Sequence, residues 1–167
     1  MRHIIGILLQ NESGALSRVA GLFSSRGYNI ESLSVSATDD PTLSRITLVT
    51  KGSQAVVHQI VNQLNKLIDV VAVDDMTSDD HLERELALIK LRVRSTQRDA
   101  VRGLVEQAGG RLLGDERDCY IVELTSSEAA ITELARNLAT QAELLEIVRS
   151  GALAMSRQEP TLRIVEA

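Results

Sequence analysis

The chain predicts an α+β fold built as two successive β-α-β-β-α-β units, each an antiparallel sheet with both helices on one face. Three observations carry that prediction. Short apolar runs rich in β-branched residues alternate with stretches whose apolar residues recur at helical spacing. The rhythm occurs twice within 167 residues. Between the two occurrences lies Asp74-Asp75-Met76-Thr77-Ser78-Asp79-Asp80, whose paired carboxylates match no metal loop and read as a solvated joint.

The first unit can be followed element by element. His3, Ile4, Ile5, Ile7, Leu8 and Leu9 form an apolar run long enough for one buried strand. In the turn that follows, Asn11 and Ser13 offer side-chain oxygens of the kind that cap helix N-termini. Leu16, Val19, Ala20 and Phe23 then recur at helical spacing, and Gly27 stands where a left-handed residue ends a helix. Tyr28 to Val35 continues as a strand, and Asp39-Asp40-Pro41 turns the chain. Leu43 to Thr50 alternates with Ile46 and Leu48 on one face. Gly52-Ser53 breaks and caps, Val57 to Ile68 carries a second amphipathic helix, and Val70, Val71, Val73 and Met76 make the last strand. This domain occupies residues 1–76, followed by a linker over 77–82.

The second unit repeats the order. Leu86 to Val93 is a strand, and Val101, Leu104, Val105 and Ala108 fit a helix stopped by Gly109-Gly110. Arg111 to Leu113 and Cys119 to Thr125 pair as a hairpin across Gly114 to Asp118. Ser126 or Ser127 caps a helix carrying Ala130, Ile131, Leu134, Ala135 and Leu138, and Leu144 to Met155 closes as one strand. The domain spans 83–157, and the polar tail over 158–167 is expected to fray. Both halves are tandem ferredoxin-like βαββαβ domains; in the first, this layout leaves one sheet face and its edges for partners.

Chemistry concentrates in the turn Asn11-Glu12-Ser13-Gly14. A helix N-terminus presents free N–H groups and a partial positive charge, which suits a small carboxylate. Gly14 has two readings: a glycine that relieves turn strain, or a missing Cβ that lets a ligand approach the amides. Asn11 reads alone as an N-cap. Asn29 is less expected, because Asn is depleted where strands begin. Flanking one helix, the two asparagines are expected to bring their amides towards one edge of the unit.

Composition removes several functions. The net charge of −5 argues against nucleic acid, and one Phe, two Tyr and no Trp leave no stacking platform. The single Cys119 excludes an internal disulfide framework and suits a reducing compartment; as a nucleophile it lacks a nearby His. His3, His58 and His81 stand far apart, so solvated or capping roles are expected and a metal site is not. There is no dinucleotide loop, P-loop or nucleophile elbow, no signal peptide and no bilayer-length apolar stretch, so the protein is expected in the cytoplasm without membrane contact. No catalytic residue is identified.

Three segments together, Asn11 to Val19, Arg26 to Leu33 and Thr38 to Arg45, resemble the N-terminal ACT domain of bacterial acetohydroxyacid (acetolactate) synthase small subunits, and Arg149-Ser150-Gly151 is similar to the same family. The resemblance covers nearly the whole chain. It implies a regulatory subunit whose partner, the large catalytic subunit, carries thiamine diphosphate, Mg²⁺ and FAD and condenses pyruvate with a second 2-keto acid. It further implies stimulation of that partner, feedback inhibition by valine in branched-chain amino acid synthesis, and a homodimer formed side by side through the ACT domains. The family's effector site maps onto Asn11, Gly14, Ala15, Asn29 and Ile30. The second domain is expected to contact the large subunit. Two other classes share the fold: a stand-alone amino-acid sensor, and an acyl-phosphate hydrolase, which would need an Arg where this turn has Asn11, Glu12 and Ser13.

Overall fold

The strand β1 (Arg2–Gln10) lies at the centre of the first unit in a computed structural model that describes residues 1–115, 118–157 and 162. Antiparallel neighbours flank it, β3 (Leu43–Lys51) on one side and β4 (Val70–Asp75) on the other; β2 (Ile30–Ala37) borders β3, giving the order β2-β3-β1-β4. Ile5, Ile7 and Leu9 point towards α1 (Ala15–Ser25) and α2 (Gln54–Leu64), where Ala15, Val19, Phe23, Val57, Ile60 and Leu64 complete the core. Ile4 faces the opposite way, with Val49 and Met76. Covered on both faces, β1 therefore reads as a continuous apolar run rather than an alternation. At its far end α1 is closed by Gly27 at φ 68°, and Phe23 meets Tyr28 edge to face at 6.1 Å.

The second unit contains β5 (His81–Arg92), α3 (Arg98–Gln107), β6 (Arg111–Gly114), β7 (Cys119–Ser126), α4 (Glu128–Gln141) and β8 (Glu143–Arg149). Along four strands its order, β6-β7-β5-β8, repeats that of the first sheet, and a fifth strand, β9 (Leu153–Ser156), pairs with β5. Ala87, Ile89, Leu91 and Val93 supply one side of its separate core, with Val101, Val105, Ile131, Leu134 and Leu138 from the helices. The buried carboxylate of Glu85 takes a two-pronged ion pair from Arg149. Ser127 is the cap of α4, accepting from the Ala130 N–H. Glu116 and Arg117 of the expected hairpin loop, and the tail over 158–167 apart from Leu162, lie outside the described residues.

Four expectations are corrected. The closing strand over 144–155 is two strands, because Gly151 at φ 78° breaks it into β8 and β9 (Leu153–Ser156). The unit that begins at Glu83 ends at Gly151, and the described segment from Ala152 to Arg157 belongs to the first unit. There it covers part of the sheet face expected to stand open. Ala152 and Ala154 are buried with Ile4, Val49 and Met76. The Ala152 N–H donates to Ser32 Oγ at 3.1 Å, and Arg45 donates to the Ala154 carbonyl at 3.1 Å. Leu162 Cδ1 lies 2.9 Å from where a Cβ on Gly6 would stand, so a bare backbone at Gly6 makes room for this cover. Lastly, His3 is fully buried rather than solvated, its ring nitrogens 3.3 Å from Thr77 Oγ1 and 3.2 Å from the Gly52 carbonyl.

Alanine at alternate positions lets this segment approach the sheet closely. Ala154→Glu would place a carboxylate among apolar neighbours, a cost relieved most readily by releasing the segment. The expected result is faster amide exchange at Ala152, read by hydrogen–deuterium exchange. Unchanged protection there would show that the segment holds without its apolar contacts.

Candidate effector-binding turn

The turn between β1 and α1 is tied down from three directions. Gln10 N–H donates to the Asp69 carbonyl at 2.8 Å, Asn11 N–H to the Thr42 carbonyl at 2.7 Å, and Asn11 Nδ2 to the Pro41 carbonyl at 3.0 Å. The Ala15 N–H closes the turn onto the Glu12 carbonyl at 3.2 Å. Gly14 is the N-cap residue of α1, at φ 88° and ψ −12°. Among the described residues no side chain caps the helix, so the expectation that Asn11 or Ser13 does so is corrected. The left-handed conformation of Gly14 excludes the extended geometry in which a Ser or Asn cap reaches the next turn, and Asn11 spends its amide on the β2–β3 connection instead. The Ala15 N–H being taken by Glu12, the remaining first-turn N–H groups of α1 have no side-chain acceptor among the described residues. A helix end left in this way carries a partial positive charge. Beside it, Gln10, Asn11, Glu12, Pro41, Thr42, Leu43 and Val71 line an open concavity of about 550 Å³.

The expected site residues fall into two groups. Asn11 and Gly14 are exposed at this turn; Ala15 is 1% exposed and packs its methyl in the core, leaving only its backbone at the turn. Asn29 and Ile30 lie at the other end of the sheet. Ile30 pairs with Thr50, which pairs with His3, whereas the turn follows Gln10, the partner of Leu43. Seven residues of β1 separate those ends, roughly 23 Å at strand rise. The expectation that both asparagines approach one edge is therefore corrected: a helix flanked by two residues holds them at its opposite ends. Asn29 is exposed and its carbonyl accepts from Thr50 Oγ1 at 2.6 Å; Ile30 packs half-buried on the core.

Sequence reading missed an ion pair at the turn. Arg18 Nη2 donates to Asp69 Oδ1 at 2.9 Å while Nε donates to Oδ2. Arg18 is half-exposed, whereas the Asp69 side chain is 5% exposed. The hydrogen bond from Arg18 holds the Asp69 carboxyl below its ordinary range despite opposing desolvation. A carboxylate with a depressed folded value stabilises the fold above its unfolded value and loses that contribution as pH falls through the folded one. The unfolding midpoints of wild type and Asp69→Asn should therefore differ by a constant amount from neutral pH down to about 4, and converge below it. A gap that persisted undiminished at pH 2 would contradict this assignment. The available signal was an Asp between an apolar helix and an apolar strand, four residues after Asn65.

Among the described residues no cluster could hold a metal ion, and no helix is long and apolar enough to cross a membrane. Two βαββαβ units, the first opening α1 at a left-handed glycine, place the chain in the class of tandem ferredoxin-like proteins. Residues 5–72 match a family model described as an AHAS small subunit-like ACT domain, and residues 84–158 one described as the small subunit of acetolactate synthase. Similar proteins include the acetolactate synthase isozyme 3 small subunit of Escherichia coli, 43% identical with 98% of this chain and 100% of that protein covered. The acetolactate synthase small subunit of Haemophilus influenzae is 43% identical over 97% and 99% of the two chains. The crystal structure of the Thermotoga maritima acetolactate synthase small subunit superposes with a TM-score of 0.86 at 32% identity, covering 96% of this chain and 99% of that one. The chain belongs to the acetolactate synthase small-subunit family, and as such is a regulatory subunit rather than a catalyst.

Proposed function

We propose that this chain stimulates a thiamine-diphosphate-dependent acetolactate synthase large subunit and makes it subject to feedback inhibition by valine, in the cytoplasm. Thiamine diphosphate, Mg²⁺ and FAD belong, in this reading, to the large subunit; this chain contributes the effector site. The single observation that carries the proposal is the uncapped first turn of α1 at Gly14. Valine's carboxylate takes those N–H groups, and its ammonium takes side-chain and backbone oxygens at Asn11 and Asn29.

Because Asn11 and Asn29 stand at opposite ends of one sheet, the reading requires a second copy. Strand β2 is an edge, and α1 returns the chain from the end of β1 to the start of β2. A two-fold axis beside β2 sets the partner's strand antiparallel. It then brings the partner's Asn29 and Ile30 to this chain's Gly14 turn, so the homodimer holds two composite sites. The isopropyl group fills a shallow apolar slot there. Such a slot separates amino acids differing by one methylene by about 1–3 kcal/mol, so leucine and isoleucine should bind more weakly than valine rather than not at all. Calorimetry with the three amino acids checks this; equal affinities would contradict a shaped slot.

Inhibition at a distance requires valine to favour one arrangement of the dimer, with coupling of about 1–3 kcal/mol. The test is a synthase assay of the large subunit with and without this chain across a valine titration. Stimulation that valine reverses is expected. Absence of both effects with folded protein would overturn the proposal.

A further inference from the structure

We infer that Arg18 and Asp69 are positioning residues for the effector turn, holding Gln10–Gly14 in its binding-competent form without themselves touching the ligand. The inference rests on the effector reading above, but its geometry stands independently. Asp69 reaches both ends of the turn. Its carbonyl accepts the Gln10 N–H at 2.8 Å, where β1 ends, and its carboxylate takes a two-pronged grip from Arg18 in the first turns of α1. Arg18 in turn donates its own N–H to the Gly14 carbonyl at 3.0 Å. Its Nη1 lies 3.3 Å from the position a Cβ on Gly14 would occupy, so the guanidinium lies along the turn.

Residues Gln10 to Gly14 are therefore closed into a loop whose two ends meet on one nearly buried residue. Arg18 supplies rigidity through its planar fork, which a lysine ammonium does not reproduce. Asp69 itself is presented by a tight connection after α2, in which Leu67 N–H donates to Leu64 O at 3.0 Å and Val70 N–H to Leu67 O at 3.1 Å. Outward N–H groups recognise a carboxylate only when held at fixed spacing, so loosening the loop lowers affinity without removing any ligand contact.

The experiment compares wild type, Arg18→Gln, Arg18→Lys, Asp69→Asn and the Arg18→Gln/Asp69→Asn double variant as full-length protein. Amide exchange over residues 10–15 is measured without effector, and valine affinity by calorimetry. Each variant should show faster exchange across the turn and valine binding weakened about tenfold, and Lys should restore little of either. The double variant should be no worse than a single one, because the two residues act as one unit. Exchange and affinity within twofold of wild type in both Arg18→Gln and Asp69→Asn, or losses that add in the double, would overturn the inference. A role confined to overall stability would lower the unfolding midpoint and leave valine affinity unchanged, which also overturns it. If wild type binds no valine, the effector reading fails while the exchange comparison still decides whether the pair holds the turn.

Discussion

Replacing Gly14 by Asp is expected to abolish valine inhibition while leaving stimulation of the large subunit intact. Two effects act together. Gly14 sits at φ 88°, a conformation that costs an L-residue roughly 1–2 kcal/mol. An added Cβ also stands 3.3 Å from Arg18 Nη1, close enough that the guanidinium must give way. Beyond that strain, a fixed negative charge would occupy the electropositive helix end proposed to take valine's carboxylate. Repulsion and occlusion should weaken valine by at least about 100-fold, or ~2.7 kcal/mol. Gly14→Ala separates the terms, since it carries the backbone strain without the charge and should retain partial inhibition. Titrating valine into the reconstituted synthase reads both variants. A Gly14→Asp protein inhibited as strongly as wild type would remove Gly14 from the site.

Phe23→Ala should carry the largest stability penalty of any change near α1. Phe23 is 1% exposed, packs in the first core and meets Tyr28 edge to face at 6.1 Å. Truncating a buried Phe costs about 3–5 kcal/mol through lost transfer energy and the cavity left behind. That is a large share of what a domain of this size has. Thermal unfolding should show the loss, with Asn29 and Ile30 following the loosened end of α1 into faster exchange. A penalty below about 1 kcal/mol would mean that the core collapses around the gap.

Periodicity made the order of elements legible, because each strand and helix of the two sheets buries a regular face. The paired helices over 15–25 and 54–64 and the twin sheet orders follow from spacings visible in Val19, Phe23, Val57 and Ile60, and in Ile89, Leu91, Val101 and Val105. Gly27 and Gly109 ended their helices in the left-handed conformation that their positions implied. What the chain concealed is long-range. Nothing local tells Ala152 and Ala154 to pack against Ile4, Val49 and Met76, and Leu144 to Met155 looks continuous until Gly151 turns it. Polar roles were hidden for the same reason. Asn11 reads as a cap until its amide is seen on Pro41, and His3 reads as solvated until Thr77 and Gly52 enclose it. Arg18 and Asp69 are 51 residues apart, and only the fold joins them. The proposed site residues rest on motif likeness alone, and spacing misjudged their geometry: a helix separates the residues that flank it.

The central claim is that one effector site draws the Gly14 turn from one copy and Asn29 from another, and mixed dimers test it most directly. Asn11→Ala and Asn29→Ala chains, each defective alone, are dissociated, mixed and reassociated, then titrated with valine by calorimetry. If the site is composite, every heterodimer contains one site with both asparagines intact and one with neither, so wild-type affinity returns at half the stoichiometry in that fraction. If each chain holds its own complete site, no mixture contains an intact one, and the absence of any restored binding would contradict the account.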